Sequence, residues 1–331
     1  MSLLKLIGLK PHAVVAGNSA QAASQRLVRK VEQGAYEEAE LMLSSANDES
    51  RERLIYGFGV SSGSVPLAAT WAKACSRSSL AHTVLGASLI TTGWNIRGSS
   101  YAKDVDSAAW KPFLDSLKDA KEPLHIAARL DSASADPYAW LIHAELGGDA
   151  SREHLSRLFS EAISRAPLHW PAHYKYFTAT TQKWGGSHRE MFKFSQEASR
   201  HAPRGSIIHS LVASSYNEYV LAHGRDGLKK IRSKEHADKV SAALYAWLDA
   251  NPSTLGQKLE NPNGSFFGYG LNQFAVACYA CGATNEAKET ISALNGEIET
   301  IPWVWIANGL RERMNPGFVH DRIVRDLGKS A

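Results

Sequence analysis

Long apolar runs are missing from this sequence. No window of the 331 residues reaches the roughly 18 uninterrupted apolar positions of a membrane span, so no membrane partner is expected. Cysteine is scarce. Cys75, Cys278 and Cys281 are an odd, scattered set, which excludes a disulfide framework and fits a reducing compartment; a cytoplasmic location is expected. An excess of one charge is also missing: 37 Lys and Arg are interspersed with 33 Asp and Glu, without the gathered basic face of a dedicated nucleic-acid binder. Strict period-two alternation, which would establish a strand, occurs nowhere. The opening MSLLKLIGLKPHAVVAG has the outline of a signal peptide. Lys5 and Lys10 break its apolar stretch, however, and no small-x-small site follows Ala13–Ala16, so residues 1–18 are expected to form a loosely ordered segment.

Repetition is what the chain does have. Pro137 and Pro171 open similar aromatic-rich segments 34 residues apart, while Glu161-Ala162 and Ala166-Pro167 recur as Glu197-Ala198 and Ala202-Pro203, each 36 residues on. Each aromatic-rich helix is followed by one carrying Phe159 or Phe194 and an Ala-Pro stop. A period near 34 with that grammar is the tetratricopeptide pattern, in which small residues let paired helices nest and bulky ones fill the gap to the next pair. Gly34, Tyr36 and Ala39 match it, as do Ala275, Gly282, Ala287 and Ile291. The expected fold is therefore an all-α, right-handed superhelical solenoid of degenerate tetratricopeptide-like hairpins. It is expected to run over 1–331 as a single array, with units at 25–46, 136–167, 169–203 and 266–295.

Between those units the spacing predicts further helices. Ser64-Val-Pro66 reads as a helix start and Ser79–Arg97 as a longer apolar helix. Asp104–Asp119 and Pro123–Asp131 read as two helices, punctuated by Pro112 and Pro123. The breaker-rich stretches Gly57–Ser64, Trp184-Gly-Gly-Ser187 and Asn251–Gly270 read as loops.

Lys183-Trp-Gly-Gly-Ser-His188 with Glu190-Met191-Phe192, Gly93-Trp-Asn-Ile-Arg-Gly98, and Ala162-x-x-Arg165-Ala-Pro167-x-His169 are distinctive. On these motifs the chain resembles an uncharacterised bacterial family, a domain of unknown function (DUF4034), from about residue 50 to about residue 225. The resemblance implies a helical-repeat architecture and carries no activity.

Several motifs invite a chemical reading. Gly59-Val-Ser61-Ser-Gly63 matches the nucleophile elbow GxSxG, with Leu54–Phe58 in the place of its strand. The upstream chain reads as a helical hairpin, so a Gly/Ser turn between helices is expected and no catalytic residue is assigned. Gly57-x-Gly59 lacks the third glycine of a dinucleotide loop, because Ser62 stands there. Cys278-Tyr-Ala-Cys281 falls inside a helix, where two small buried side chains are ordinary packing. His169 and His173 share a spacing of four, but Trp170 follows the first where a zincin has Glu. Neither pair has a complete ligand set, so no metal and no cofactor is expected. In Trp184-Gly185-Gly186-Ser187, a glycine with positive φ should end one helix and Ser187 should cap the next, Glu190 completing a capping box. Trp184 is expected to be largely buried. Lys229, Lys230, Arg232 and Lys234 read as a solvated turn and helix start.

The functional expectation is a non-enzymatic scaffold that binds a protein or peptide partner in a concave groove. Trp94, Arg97, Trp140, His169, His173, Tyr174, Trp184, His188 and Glu190 are the candidate partner-binding residues. An enzyme or small-ligand binder using the His/Trp/Glu cluster at 169–190 is the alternative; a closed superhelix with a polar centre would favour it. A structural subunit of a larger assembly is a third class, signalled by an exposed apolar patch at Leu3–Leu9 or Ile301–Ile306.

Overall fold

The computed structural model describes residues 14–15, 19–98, 105–148, 150–260 and 267–329. The Leu3–Leu9 patch lies outside the described residues, as does all of the N-terminal segment 1–18 except Val14–Val15. Seventeen α-helices occur among the described residues, and the one extended pairing is a two-residue parallel bridge, β1 (Val14–Val15) with β2 (Glu297–Ile298). The chain divides into two compact units, Asn18–Thr180 and Thr181–Ala331 with Met1–Gly17.

In the unit Asn18–Thr180, α1 (Ser19–Glu32) and α2 (Tyr36–Ser44) are joined through Gly34 at φ 71°. Then come α3 (Asp48–Gly59), α4 (Ser64–Ala74), α5 (Ser79–Arg97), α6 (Ser107–Leu130), α7 (Asp136–Leu146), α8 (Arg152–Arg165) and α9 (Trp170–Thr180). Each helix packs on the next. In addition α1 packs on α3, α3 on α5, α5 on α7 and α7 on α9, so the odd-numbered helices form a continuous inner layer. The layer then turns back on itself, because α9 also touches α3.

Two sequence expectations change here. The predicted loop Gly57–Ser64 shrinks to Val60–Gly63, since Gly57 and Gly59 complete α3. A Cβ on Gly57 would stand 2.1 Å from Ser24 Oγ of α1, so the residue serves close helix approach rather than a turn. The two helices expected around Pro112 and Pro123 are one continuous helix, α6. Each proline removes one backbone hydrogen bond. Against that, Phe113, Leu117, Ala120, Leu124 and Ala127 form an unbroken buried stripe at alternating spacings of four and three. The stripe beds onto α5 at Gly86, where a Cβ would lie 2.5 Å from Leu124 Cγ. Burial at the order of 2 kcal/mol per large side chain outweighs the lost bonds.

The other unit begins with a 3-10 turn, Gln182–Trp184, and α10 (His188–His201). A second 3-10 turn, Ile207–His209, leads into α11 (Ser210–Ile231), which is interrupted at Gly224 with φ 56°. There follow α12 (Lys234–Trp247), α13 (Leu255–Glu260), α14 (Phe267–Cys281), α15 (Thr284–Ala293), α16 (Leu310–Met314) and α17 (Gly317–Gly328). The predicted loop Asn251–Gly270 thus contains α13 and the start of α14. Helix α14 is the centre of this unit, buried almost all round against α11, α12 and α15. Its polar interior positions are paired: Asn217 Nδ2 donates to Gln273 Oε1 (2.8 Å), and Trp303 Nε1 donates to Asn272 Oδ1 (2.6 Å). Ile301–Ile306, expected as an exposed patch, instead folds onto α11 and α17, with Trp303 and Ile306 buried and Ile301 exposed.

Candidate functional site

Charged side chains are buried between α3, α7 and α9 of the unit Asn18–Thr180, beside its apolar core. Arg51 and Glu52 are neighbours on α3, so their side chains leave the helix about 100° apart and reach different partners. Arg51 Nε donates to Asp136 Oδ2 at the start of α7 (2.6 Å), and its Nη atoms reach Asp48 Oδ1 (2.7 Å) and Ala46 O (2.8 Å). Glu52 takes the ammonium of Lys175 on α9, and Lys175 is itself buried. Lys175 Nζ also sits 4.3 Å above the Trp140 ring. From there the rings continue, His143 lying 5.9 Å from Trp140 and stacked on Trp94 at 5.4 Å. Burial, helped by the nearby Lys175 charge, pushes the His143 imidazole down to about 3. Burial alone would push the Asp136 carboxyl up, but His169 and Arg51 together bring it below its ordinary value.

The nine residues singled out from sequence distribute as follows. Trp140 is 0% exposed, so it is a core ring and not part of an accessible groove. His169 is buried ahead of α9; its Nδ1 accepts from Ala172 N, so Nε2 carries the proton and donates to Asp136 Oδ1 (3.0 Å). His173, also buried, donates from Nε2 to Pro167 O (2.9 Å). The two imidazoles therefore point at different acceptors and not at a common ion. Tyr174 is exposed and stacks on Trp170 at 5.6 Å. Arg97 lies 5.4 Å from the Trp94 ring and 5.8 Å from that of Trp110, a cation–π cluster at the end of α5.

Trp184, His188 and Glu190 belong to the other unit, so the boundary at Thr180/Thr181 cuts through the stretch 169–190. Trp184 is intermediate in burial, with more of the residue covered than exposed, while Gln182, Lys183 and Gly185 beside it are exposed. The capping expectation is met in part. Gly185 has φ 80°, Ser187 Oγ accepts from Glu190 N (3.2 Å), and Ser187 Oγ also donates to Glu190 Oε2 (3.1 Å). His188 opens α10 and meets His223 of α11, a residue that sequence reasoning did not single out, at 2.9 Å between their Nε2 atoms.

The remaining motifs resolve structurally. Leu54–Phe58 is helix, so GxSxG has no strand before it, and the hydroxyls of Ser61 and Ser64 donate to Gly57 O (2.9 Å) and Gly59 O (2.8 Å). Beside this turn lies a cleft of about 470 Å³, lined by Val60–Pro66 and by Thr92, Asn95 and Ile96 of α5. Cys278 and Cys281 are buried in α14, and burial pushes both thiols up, away from the reactive thiolate. Lys229 and Lys230 end α11, Arg232 follows, and Lys234 opens α12; all four are exposed. No group of three or more His, Cys, Asp or Glu side chains placed to hold a metal occurs among the described residues. No family model matches the chain, and no curated protein sequence matches it.

Proposed function

We propose that this chain is a non-enzymatic scaffold for a protein or peptide partner, built as a solenoid of tetratricopeptide-like hairpins. Two features support the repeat reading. Alternate helices pack on one another through α1, α3, α5, α7 and α9. Hydrogen bonds also recur at one repeat's separation: Arg165 to Ser132 and His169 to Asp136 at 33 residues, Lys183 to Glu218 and His188 to His223 at 35. Equivalent positions of successive hairpins meet in such an array.

The observation that carries the binding reading is the cleft beside α5. Between α3, α7 and α9 there is no comparable cleft among the described residues, because Glu52, Trp140, His143 and Lys175 pack against one another there. The cleft instead combines an exposed Gly/Ser backbone with Val60 and Ile96, which are 42% and 43% exposed. Apolar anchors beside an exposed turn suit one or two side chains of an extended peptide. Photocrosslinking from position 96 in cells should trap a protein partner. The adduct should vanish in a Val60→Asp variant that melts like the wild type. Turnover of a substrate, or fluorophosphonate labelling lost on Ser61→Ala, would overturn the scaffold reading.

Two observations favour a second reading, a small polar ligand held within the inner layer: α9 closes back onto α3 around buried charged side chains, and some buried polar atoms there lack partners. Trp140 Nε1, Glu52 Oε2 and His143 Nδ1 are buried without hydrogen-bond partners among the described residues, and such atoms cost about 1–3 kcal/mol each if left dry. Native mass spectrometry separates the two readings. Polypeptide mass alone supports the scaffold, whereas a small molecule retained by wild type and lost in Trp140→Phe supports the ligand.

A further inference from the structure

His188 and His223 come together through two local devices. Ser187 caps α10 and sets His188 as its first residue. The break at Gly224 ends the regular part of α11 directly after His223. Tyr219, one turn before His223, lies against both imidazoles, with ring centres 4.9 Å from His188 and 4.5 Å from His223, and Phe192 packs on Tyr219 in turn. The two rings are thus held on an aromatic bed with their Nε2 atoms 2.9 Å apart, and His223 is exposed.

That distance has a coordination meaning. At 2.9 Å the two Nε2 atoms share an N–H···N hydrogen bond, and that closeness lets both reach a single ion at the roughly 2.0–2.1 Å of a metal–imidazole bond. From this geometry we infer that His188 and His223 form a two-histidine site for a divalent transition ion, copper(II) foremost. No third protein ligand joins them among the described residues, so water completes the shell. Copper(II) is the strongest binder of the divalent first-row series at nitrogen ligands, and imidazole suits it.

Both rings must be neutral to bind. His188 Nδ1 is buried without a partner, so no second hydrogen bond commits the ring to the tautomer that donates to His223. Without an ion the pair shares one N–H between its Nε2 atoms. With an ion that proton moves to Nδ1 of the same ring and both Nε2 lone pairs turn to the metal.

Copper(II) titrated into the full chain at pH 7.5 tests the assignment, with affinity read by calorimetry and donors by electron paramagnetic resonance. One ion per chain is expected, with a tetragonal spectrum and hyperfine structure from two nitrogens. His223→Ala and His188→Gln should each weaken binding at least tenfold while circular dichroism stays unchanged. His201→Ala, which removes an exposed histidine elsewhere on α10, should leave affinity within twofold. An affinity unmoved by His223→Ala, or equal losses at His201 and His223, would mean an adventitious ion only and overturn the site.

Discussion

At the scale of single residues, the central feature is charge buried between α3, α7 and α9. The Lys175–Glu52 pair lies where desolvation is expensive, so removing one partner leaves the other charge uncompensated. Lys175→Ala is expected to cost about 3–5 kcal/mol in urea unfolding, and Lys175→Met with Glu52→Gln together should recover much of it. A double variant no better than the single would show that lost packing dominates. His143 predicts a pH dependence. Its folded pKa of about 3 lies below the ordinary value near 6.5, so the stability from its neutral ring is complete above about pH 6.5 and drains away toward pH 3. The slope from this ring should approach about 1.4 kcal/mol per pH unit, and His143→Phe, which keeps the stack on Trp94, should remove it. Comparing urea midpoints of the two proteins at pH 7 and pH 5 checks this. Little of this network was legible in the sequence, because Arg51, Glu52, Asp136, His143 and Lys175 carry no motif and meet only through the packing of distant helices. His169 was singled out for its spacing to His173, and its actual partner, Asp136, stands 33 residues earlier. The period held that information: a residue 33 to 35 positions from a candidate was the place to look, and His223 stands at that separation from His188.

At the scale of elements, local chemistry was readable wherever it is decided locally. Ser187, Gly34 and the prolines opening α7 and α9 mark boundaries because capping and restricted φ act within one turn. Ser187→Ala is expected to lower stability by about 1 kcal/mol, measurable as a fall in the thermal midpoint. Failures occurred where burial outweighs local preference. Pro112 and Pro123 read as punctuation, yet the apolar stripe of α6 carries the helix through both; Gly57 read as a loop, yet it marks the crossing with α1. The α5–α6 contact offers a direct comparison. Gly86→Ala should destabilise by about 1–3 kcal/mol through its clash with Leu124 and Ala120 O, despite the better helix propensity of alanine. A stabilised Gly86→Ala protein would show that this crossing has slack.

At the scale of the molecule, the three thiols report on how tightly each unit is closed. Cys75 is half-buried, whereas Cys278 and Cys281 are enclosed in α14. A thiol reagent should therefore modify at most Cys75 quickly in the native chain and all three after denaturation; fast native modification of Cys278 would contradict the packing of α14. The turning back of α9 onto α3 has a consequence for how the unit Asn18–Thr180 comes into being. An open row of hairpins can nucleate anywhere, spread by neighbour-to-neighbour contacts, and gain or lose a member without reorganising the rest. Here Glu52 and Lys175 lie 123 residues apart in the chain, so their contact is made only after the intervening helices have been gathered, and chain closure over that length slows it. The unit is therefore expected to fold all at once rather than by spreading. It also has a fixed membership: a hairpin duplicated between α3 and α9 would hold the two ends of the layer apart, so this part of the chain can diverge by substitution but not lengthen from within.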